Sequence, residues 1–270
     1  MEKIQNFLYK TVPGRIILKP LVQPPITKLG GLILSTRLSA LYVKRFIKNN
    51  RIDMSDYEKR PYRSFNDFFT RTILPVKRPF DSSPASLISP CDSALMVYDI
   101  NKDSQFRIKS SVYTAEELIG ENADDYYSGG KCLVFRLAVH NYHRYCFIDS
   151  GHIGKTKKIR GVFHTVMPIS EEYKVFVRNS REVTVLHTDN FGDVCQIEVG
   201  ALMVGKISNR IINGNFKRGE EKGMFEFGGS TVVLLLENGI AEIRPDIIEN
   251  SKKDIETPVK YGEKIGVSAK

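Results

Sequence analysis

The sequence predicts an α+β fold, with a mostly β core and an N-terminal helical cap. Short segments rich in Val, Ile, Leu and Thr, separated by Gly, Asn and Asp, dominate the second half of the chain and indicate strands. With 270 residues, of which 41% are hydrophobic, the chain can form one large domain or two small ones. We therefore expect a basic helical region at 1–75 and a mostly β domain at 76–270.

Two helices are predicted in the N-terminal region. The segment 32–48 mixes apolar side chains with Lys and Arg, and its apolar residues follow the helical period loosely. Such a helix can lie in a membrane interface, or it can pack on the core with a solvated basic face, and both interpretations stay open. Ser64 followed by Asp67 resembles a capping box, which predicts a short helix beginning at Phe65.

Most of the remaining chain is predicted to form strands, and a hairpin is expected to close it at 259–266. The predicted strands are 133–139, 183–186, 194–207, 230–236 and 240–243.

The positive charge of the chain is concentrated near its N-terminus. Residues 1–50 hold nine Lys or Arg against one acidic residue, Glu2, whereas the whole chain carries a net charge of +9. Such an arm suits a polyanion, either an anionic bilayer or a nucleic acid. No apolar run reaches 18 residues and no signal peptide is recognised, so a transmembrane helix is not expected. The four cysteines form no Cys-x-x-Cys pair, which favours free thiols in a reducing cytosol.

A Gly-Gly-Ser-Thr run at 228–231 leads directly into the apolar segment 232–236. Glycine adopts backbone conformations that other residues avoid. A serine that begins a strand behind such a glycine can turn its hydroxyl back onto the preceding carbonyl, which is the geometry of an N-to-O acyl shift. The same pattern also fits a loop glycine pair before a buried strand, so this motif alone does not decide between the two.

Five further motifs precede this one. They are Ser-Phe-Asn-Asp-Phe-Phe-Thr-Arg at 64–71, Ser-Pro-Cys-Asp at 89–92, Tyr-His-Arg-Tyr-Cys at 142–146, Phe-His-Thr-Val-Met-Pro at 163–168 and Val-Gly-Ala-Leu-Met-Val-Gly-Lys-Ile at 199–207. In this order and spacing the chain resembles the phosphatidylserine decarboxylases, most closely their second bacterial type. The resemblance runs from about Ser64 to the C-terminus.

The resemblance implies that the chain processes itself. The hydroxyl of Ser230 would attack the carbonyl of Gly229 to form an ester, and β-elimination would then separate the two residues. Ser230 would become a pyruvoyl group, a covalent cofactor at the new N-terminus. The products would be a β chain of residues 1–229 and an α chain of residues 230–270, which stay together as a heterodimer.

The resemblance also suggests which residues supply the base. Asp92 fills the family's Ser-Pro-x-Asp motif, although Ser93 follows it where Gly is usual. His143 lies in Tyr-His-Arg, and histidine titrates near neutral pH. Many relatives have a second histidine, implicated as the base of their triad, where this chain has Cys146, and a cysteine between Tyr and Phe is usually a small buried hydrophobe. His143 then serves alone or shares the work with His164, although an isolated histidine in a β-rich segment is more often structural.

The predicted catalytic set is therefore Asp92, His143 and Ser230, with no metal. The resemblance implies conversion of phosphatidylserine to phosphatidylethanolamine and carbon dioxide at the cytoplasmic side of the cell membrane. There the basic arm would meet anionic lipid, and no nucleic acid partner is expected. Two alternatives stay open: a pyruvoyl-dependent decarboxylase of a soluble amino acid, for which a basic arm has no use, and an inactive membrane-binding homologue that has lost its triad base.

Overall fold

The architecture is an α+β fold with a mostly β core, as the sequence predicts. The computed structural model describes residues 2–101, 103, 105–108, 111–121, 126–165, 174–201, 206–226 and 230–269. Within these residues the helices are α1 (Glu2–Lys10), α2 (Val12–Leu21), α3 (Pro24–Leu34), α4 (Val43–Asn50), α5 (Phe65–Phe69), α6 (Ala115–Ile119), α7 (Val175–Arg178) and α8 (Pro245–Lys252), with short 3₁₀ helices at Arg37–Tyr42, Met54–Asp56 and Pro75–Lys77.

The described strands are antiparallel and form one large sheet with smaller sheets around it. They are β1 (Ser86–Ile88), β2 (Ser93–Asp99), β3 (Gln105–Ile108), β4 (Ser111–Thr114), β5 (Lys131–Leu137), β6 (Arg144–Cys146), β7 (Gly151–Ile159), β8 (Arg181–Thr188), β9 (Gly192–Gly200), β10 (Lys206–Asn209), β11 (Asn215–Phe216), β12 (Glu221–Glu226), β13 (Ser230–Leu236), β14 (Ala241–Ile243), β15 (Thr257–Val259) and β16 (Lys264–Ser268). The large sheet has the order β11-β7-β8-β9-β13-β5-β2-β15. The smaller sheets are β1-β16-β14, β10-β12-β6 and the pair β3-β4.

The strand β13 lies in the middle of the large sheet. It pairs with β5 on one side and with β9 on the other, and all seven of its residues are buried. A strand covered on both faces needs apolar side chains on both, which explains the unbroken run of Val and Leu after Thr231. The prediction of a strand over 230–236 is thus confirmed at both of its ends.

The sheet β10-β12-β6 covers one face of the large sheet. The ammonium of Lys222 on β12 lies 2.7 Å and 2.8 Å from the two carboxylate oxygens of Glu198 on β9. Glu198 and Gly200 point to the same face because side chains alternate along a strand. Gly200 is the cross-strand partner of Ser230, so the side chain of Ser230 lies on this covered face.

The prediction of one helix over 32–48 is wrong. The chain forms α3, a 3₁₀ helix and α4 in succession. At the break, the hydroxyl of Ser35 donates to the carbonyl of Gly31, and the hydroxyl of Thr36 donates to the carbonyl of Ile33. Such bonds offer the backbone an alternative to a continuous helix.

The broken segment 32–48 is partly buried and partly exposed. Its second half packs inward, whereas Leu38 and Leu41 in the 3₁₀ helix are 79% and 82% exposed. The predicted helix after Ser64 is confirmed, because the Ser64 hydroxyl accepts a 3.1 Å bond from the Asp67 amide. The inward cluster consists of Val43, Phe46, Phe65, Phe68 and Phe69.

The other strand predictions need adjustment at their ends. The strand predicted at 133–139 is found as β5, the one at 183–186 is the longer β8, and the one at 240–243 is β14. The segment 194–207 holds the ends of two strands, β9 and β10, with residues 202–205 outside the described residues. The predicted hairpin at 259–266 is wrong: β15 pairs with β2, whereas β16 pairs with β1 and β14. The turn between them connects two sheets.

Candidate active site

Ser230 is the first residue of β13 and is fully buried. Its hydroxyl oxygen has no hydrogen-bond partner among the described residues. A buried polar group without a partner costs free energy and often marks a functional site. The predicted scissile bond is only half visible, because Gly229 lies with residues 227–228 outside the described part of the chain.

The strand register brings the sequence motifs to one end of the large sheet, which we call the Ser230 end. Ser230 pairs with Leu137, the last residue of β5, and with Gly200, the last residue of β9. Ala94 pairs with Arg136, so Ser93 lies level with Leu137, two strands and about 10 Å from Ser230. Asp92, the loop after β5 and the segment after β9 therefore share this end.

Asp92 is held by a buried ion pair. The Arg78 guanidinium approaches its carboxylate with both ends, at 2.8 Å from Nε to Oδ1 and 2.6 Å from Nη2 to Oδ2. The backbone amide of Tyr261 donates a third bond of 2.8 Å. The hydrogen bonds from Arg78 to Asp92 are the main reason that the pKa of Arg78 is raised. Within the described residues, Asp92 makes no hydrogen bond to His143 or Ser230.

His143 is fully buried at the same end of the sheet. Its ring lies against Phe69 with 4.0 Å between ring centroids, and its Nδ1 lies 3.0 Å from the carbonyl oxygen of Asn141. A carbonyl can only accept, so Nδ1 carries the proton. In the neutral ring the lone pair is then on Nε2, as a general base requires. The carbonyl of His143 accepts from the amide of Phe225, which places the histidine beside the strand leading to residues 227–229.

Cys146, at the position of the second family histidine, is a buried thiol. Burial raises the pKa of Cys146 to about 12, so it stays protonated at neutral pH. Its backbone amide donates to the carbonyl of Pro90, and its sulfur lies 3.9 Å from the carbonyl oxygen of Ser89. A protonated thiol does not accept a proton, which argues against Cys146 as the base.

His164 lies on the other side of Ser230, beyond β9. The side chain of Asn179 donates to the carbonyls of His164 and Gly200 at 2.8 Å each, which ties the histidine to the strand beside Ser230. The Nδ1 of His164 lies 3.3 Å from the hydroxyl of Tyr9. Burial, and secondarily the nearby Arg178, lowers the pKa of His164 to about 4, so the ring is neutral at pH 7. The rest of this motif, residues 166–168, lies outside the described residues.

Three residues that sequence reasoning did not assign to the site support it. Besides Arg78 and Tyr261, the buried Arg71 donates from one nitrogen to the carbonyls of His140 and Asn141, at 3.0 Å and 3.3 Å. Arg71 thereby holds the loop that sets the His143 ring. Arg71 is the last residue of the motif at 64–71, so its position in that motif could have marked it as a site residue. Nothing in the local sequence links Arg78 to the carboxylate of Asp92, which lies 14 positions later.

The described residues contain no group of three or more His, Cys, Asp or Glu side chains placed to hold a metal ion. In the same part of the chain, no helix is both long and apolar enough to cross a bilayer.

A buried serine at a strand start, a buried histidine and a buried carboxylate thus share one end of the large sheet. Comparison with known proteins shows the family to which a chain with this fold and site belongs. The family described as phosphatidylserine decarboxylase matches residues 65–267. The chain is 51% identical to phosphatidylserine decarboxylase proenzyme 2 of Clostridium acetobutylicum, over 97% of this chain and 90% of that protein.

More distant relatives give the same result. The phosphatidylserine decarboxylase proenzyme of Ruminiclostridium cellulolyticum is 40% identical, over 98% of this chain and 91% of that protein. The proenzyme of the same name from Desulfitobacterium hafniense is 38% identical, over 100% of this chain and 93% of that protein. The chain belongs to the phosphatidylserine decarboxylase family.

Proposed function

We propose that this protein decarboxylates phosphatidylserine to phosphatidylethanolamine, using a pyruvoyl group that it makes from Ser230. The observation that carries the proposal is the buried Ser230 hydroxyl, without a described partner, at the first residue of the central strand. The names of the relatives, all proenzymes, support self-processing. The alternatives of an inactive homologue and of a soluble amino acid substrate have no comparable support.

Self-cleavage uses only groups of the chain and water. The hydroxyl oxygen of Ser230 attacks the carbonyl carbon of Gly229, the peptide C–N bond breaks, and an ester and a free amine result. Removal of the α proton of Ser230 then expels the Gly229 carboxylate and leaves a carbon–carbon double bond. Hydrolysis releases ammonia and leaves the pyruvoyl group. A serine hydroxyl needs a neighbouring base for the first step.

We assign His143 as this base and Asp92 as its supporting carboxylate. The hydrogen bond from Nδ1 to Asn141 leaves the basic lone pair on Nε2. The carboxylate of Asp92, held by Arg78, lies at the same end of the sheet. His143, rather than the Cys146 thiol, is then also the group that returns a proton to the product carbon.

The surroundings of Ser230 fit a pyruvoyl group. The position is completely buried and flanked on both sides by paired strands, which limits the access of bulk water to the reacting carbon. The pyruvoyl carbonyl supplies an electron sink for the electrons that the departing carboxylate leaves behind. The protein orients the serine headgroup and supplies one proton.

The N-terminal helices form the contact with the membrane in this proposal, at its cytoplasmic side. Side chains with large exposed fractions include Ile16 at 64%, Leu32 at 68%, Leu38 at 79% and Leu41 at 82%. Residues 1–50 hold nine Lys or Arg against one acidic residue. Exposed apolar side chains beside cations are typical of a surface that lies in an anionic interface.

Substitution of the serine tests the proposal. Ser230→Ala should give one uncut, inactive chain on a denaturing gel, whereas the unaltered protein gives two fragments. Ser93→Ala is the matched control, because the Ser93 hydroxyl is also buried and has no partner among the described residues. It should still be cut. Cleavage of the Ser230→Ala protein would disprove the assignment, and a single uncut band from the unaltered protein would favour the inactive homologue.

A further inference from the structure

A small pocket opens between α2 and the segment that carries His164. Its volume is about 210 Å³, below the roughly 300–1,000 Å³ of sites that enclose drug-sized ligands. A pocket of this size holds one group of a ligand rather than a whole lipid. We call it the cationic pocket, and its main lining residues are Arg15, Leu18, Lys19, Val22, His164 and Arg178.

Three cations border the cationic pocket: its wall is mostly apolar, and the exposed side chains of Arg15, Lys19 and Arg178 carry the charge at its rim. Arg15 and Lys19 lie one turn apart on α2, and Arg178 faces them from the end of α7. None of the three forms an ion pair with a carboxylate of the described residues, in contrast to Arg78 or Lys222. His164 adds no charge of its own, since burial and Arg178 lower its pKa to about 4. Such a group of cations attracts an anion, and arginine in particular matches the geometry of phosphate oxygens.

The pocket lies between an exposed apolar surface and the Ser230 end of the sheet. On one side, α2 exposes Ile16 and Ile17, at 64% and 48%. On the other, the side chain of Asn179 connects the carbonyl of His164 to that of Gly200, the residue opposite Ser230. A phospholipid has the same order of parts: acyl chains, then the phosphodiester, then the headgroup.

We propose that the cationic pocket binds the phosphodiester of the lipid substrate, with Arg15, Lys19 and Arg178 as its ligands. The proposal rests on the proposed function, because it takes the reacting headgroup to be at Ser230. The acyl chains leave the pocket along the exposed side of α2, and the headgroup passes His164 toward Gly200. The three cations thus determine which part of the lipid headgroup reaches Ser230.

Kinetics with a soluble substrate test the site. For a short-chain phosphatidylserine below its micelle concentration, Arg178→Gln and Arg15→Gln should each raise KM about tenfold, which is the effect of losing a charged hydrogen bond. Their kcat and rate of self-cleavage should change less than about twofold. Lys28→Gln is the matched control, because Lys28 is an exposed cation of α3 outside the pocket. An unchanged KM in both arginine variants would overturn the proposal.

A binding measurement separates this proposal from the proposed function. In uncut Ser230→Ala protein, the titration of the His164 ring is followed by NMR with glycerophosphoserine or free serine added. A phosphodiester beside the ring should raise its pKa, because a nearby anion favours the charged form. Serine alone should not, and Arg178→Gln should abolish the effect. If the pKa rises but the native protein decarboxylates no lipid, the proposed function fails and the phosphodiester site stands.

Vesicle binding is the third test of the phosphodiester site. Arg178→Gln should bind phosphatidylglycerol vesicles like the unaltered protein, because Arg178 lies outside residues 1–50. Loss of vesicle binding without a change in KM would assign these cations to the membrane surface and overturn the substrate site. Equal shifts of the His164 pKa by serine and by glycerophosphoserine would also overturn it.

Discussion

The role proposed for His143 depends on the atoms that fix its ring. The carbonyl of Asn141 holds the proton on Nδ1, Phe69 covers one ring face, and Arg71 holds the carbonyls of the loop. The proposed base thus depends on the motif at 64–71 as well as on its own motif. Arg144 adds a second connection, because its guanidinium donates to the carbonyl of Thr70 at 2.7 Å.

Replacement of His143 should stop processing. His143→Ala removes the lone pair that accepts the serine proton, and general base catalysis typically contributes about 10²–10⁴-fold. We expect the cleavage rate, followed by gel after synthesis, to fall at least about 100-fold. His187→Ala is the control, since His187 pairs with Asp193 at the far end of β8. If only His164→Ala blocked cleavage, the base would be His164.

Replacement of Arg78 should destabilise the fold strongly. Arg78→Ala leaves the Asp92 carboxylate buried with one remaining backbone donor, and breaking a buried ion pair costs about 3–5 kcal/mol. The free energy of unfolding is measured by urea denaturation in the uncut Ser230→Ala background, where one chain unfolds. Arg60→Ala, which breaks the more exposed pair with Asp67, should cost at most about 1 kcal/mol. Equal losses in both variants would contradict the buried pair at Asp92.

At the scale of secondary structure, β13 explains how two fragments can remain one protein. The predicted cut lies at its first residue, so the new α chain begins inside the sheet with β5 and β9 on either side. All its residues from Ser230 to Leu236 are buried. Separation of the chains would expose this apolar strand and the edges of both neighbours.

The cut protein should therefore stay associated. After processing, size-exclusion chromatography in ordinary buffer should elute both fragments in one peak, and they should separate only in denaturant. Dissociation at micromolar concentration without denaturant would show that the strand does not remain paired, and the heterodimer would be wrong.

The elements that the sequence predicted correctly are those with purely local causes. The apolar run of β13 and the Ser64 cap of α5 depend on neighbouring residues alone. The helix over 32–48 failed because the hydroxyls of Ser35 and Thr36 bond to nearby carbonyls, which composition does not reveal. The hairpin at 259–266 failed because its strands find partners in distant segments.

In the site, too, only the features with local causes could be predicted from the sequence. Ser230, His143 and Asp92 could be named from motifs, and the register places them at one end of the sheet. Arg78 and Tyr261, which hold Asp92, could not, since a guanidinium and a backbone amide from distant segments meet the carboxylate only in the folded chain.

At the scale of the whole molecule, the surface of residues 1–50 carries many exposed apolar side chains and most of the excess positive charge. Each basic residue near an anionic membrane contributes about 1 kcal/mol, and buried apolar side chains add to this. Deletion of residues 1–50 would be a poor test, because it removes Val43 and Phe46 from the cluster around Phe65 and Phe68. Point substitutions of exposed side chains avoid this damage.

Sedimentation with liposomes tests that surface. The double variant Leu38→Ser/Leu41→Ser should bind phosphatidylserine vesicles at least about tenfold more weakly. Each substitution removes the free energy that a leucine side chain gains on transfer from water into the interface. Val76→Ser is the matched control, because Val76 is 79% exposed but lies outside the N-terminal helices. High salt should weaken binding of the native protein, since exposed charges are screened beyond about 8 Å at physiological ionic strength. Equal binding by all forms, or binding indifferent to salt, would move the membrane contact elsewhere.

In the proposed mechanism Ser230 becomes the catalytic N-terminus of a smaller chain. The intact mass of the fragments of the purified native protein tests this step. We expect a fragment of residues 230–270 that is lighter than its serine form by one ammonia, together with a fragment of residues 1–229. A fragment with an unmodified serine at its N-terminus, a cut at another bond, or a single uncut chain of 270 residues would contradict it.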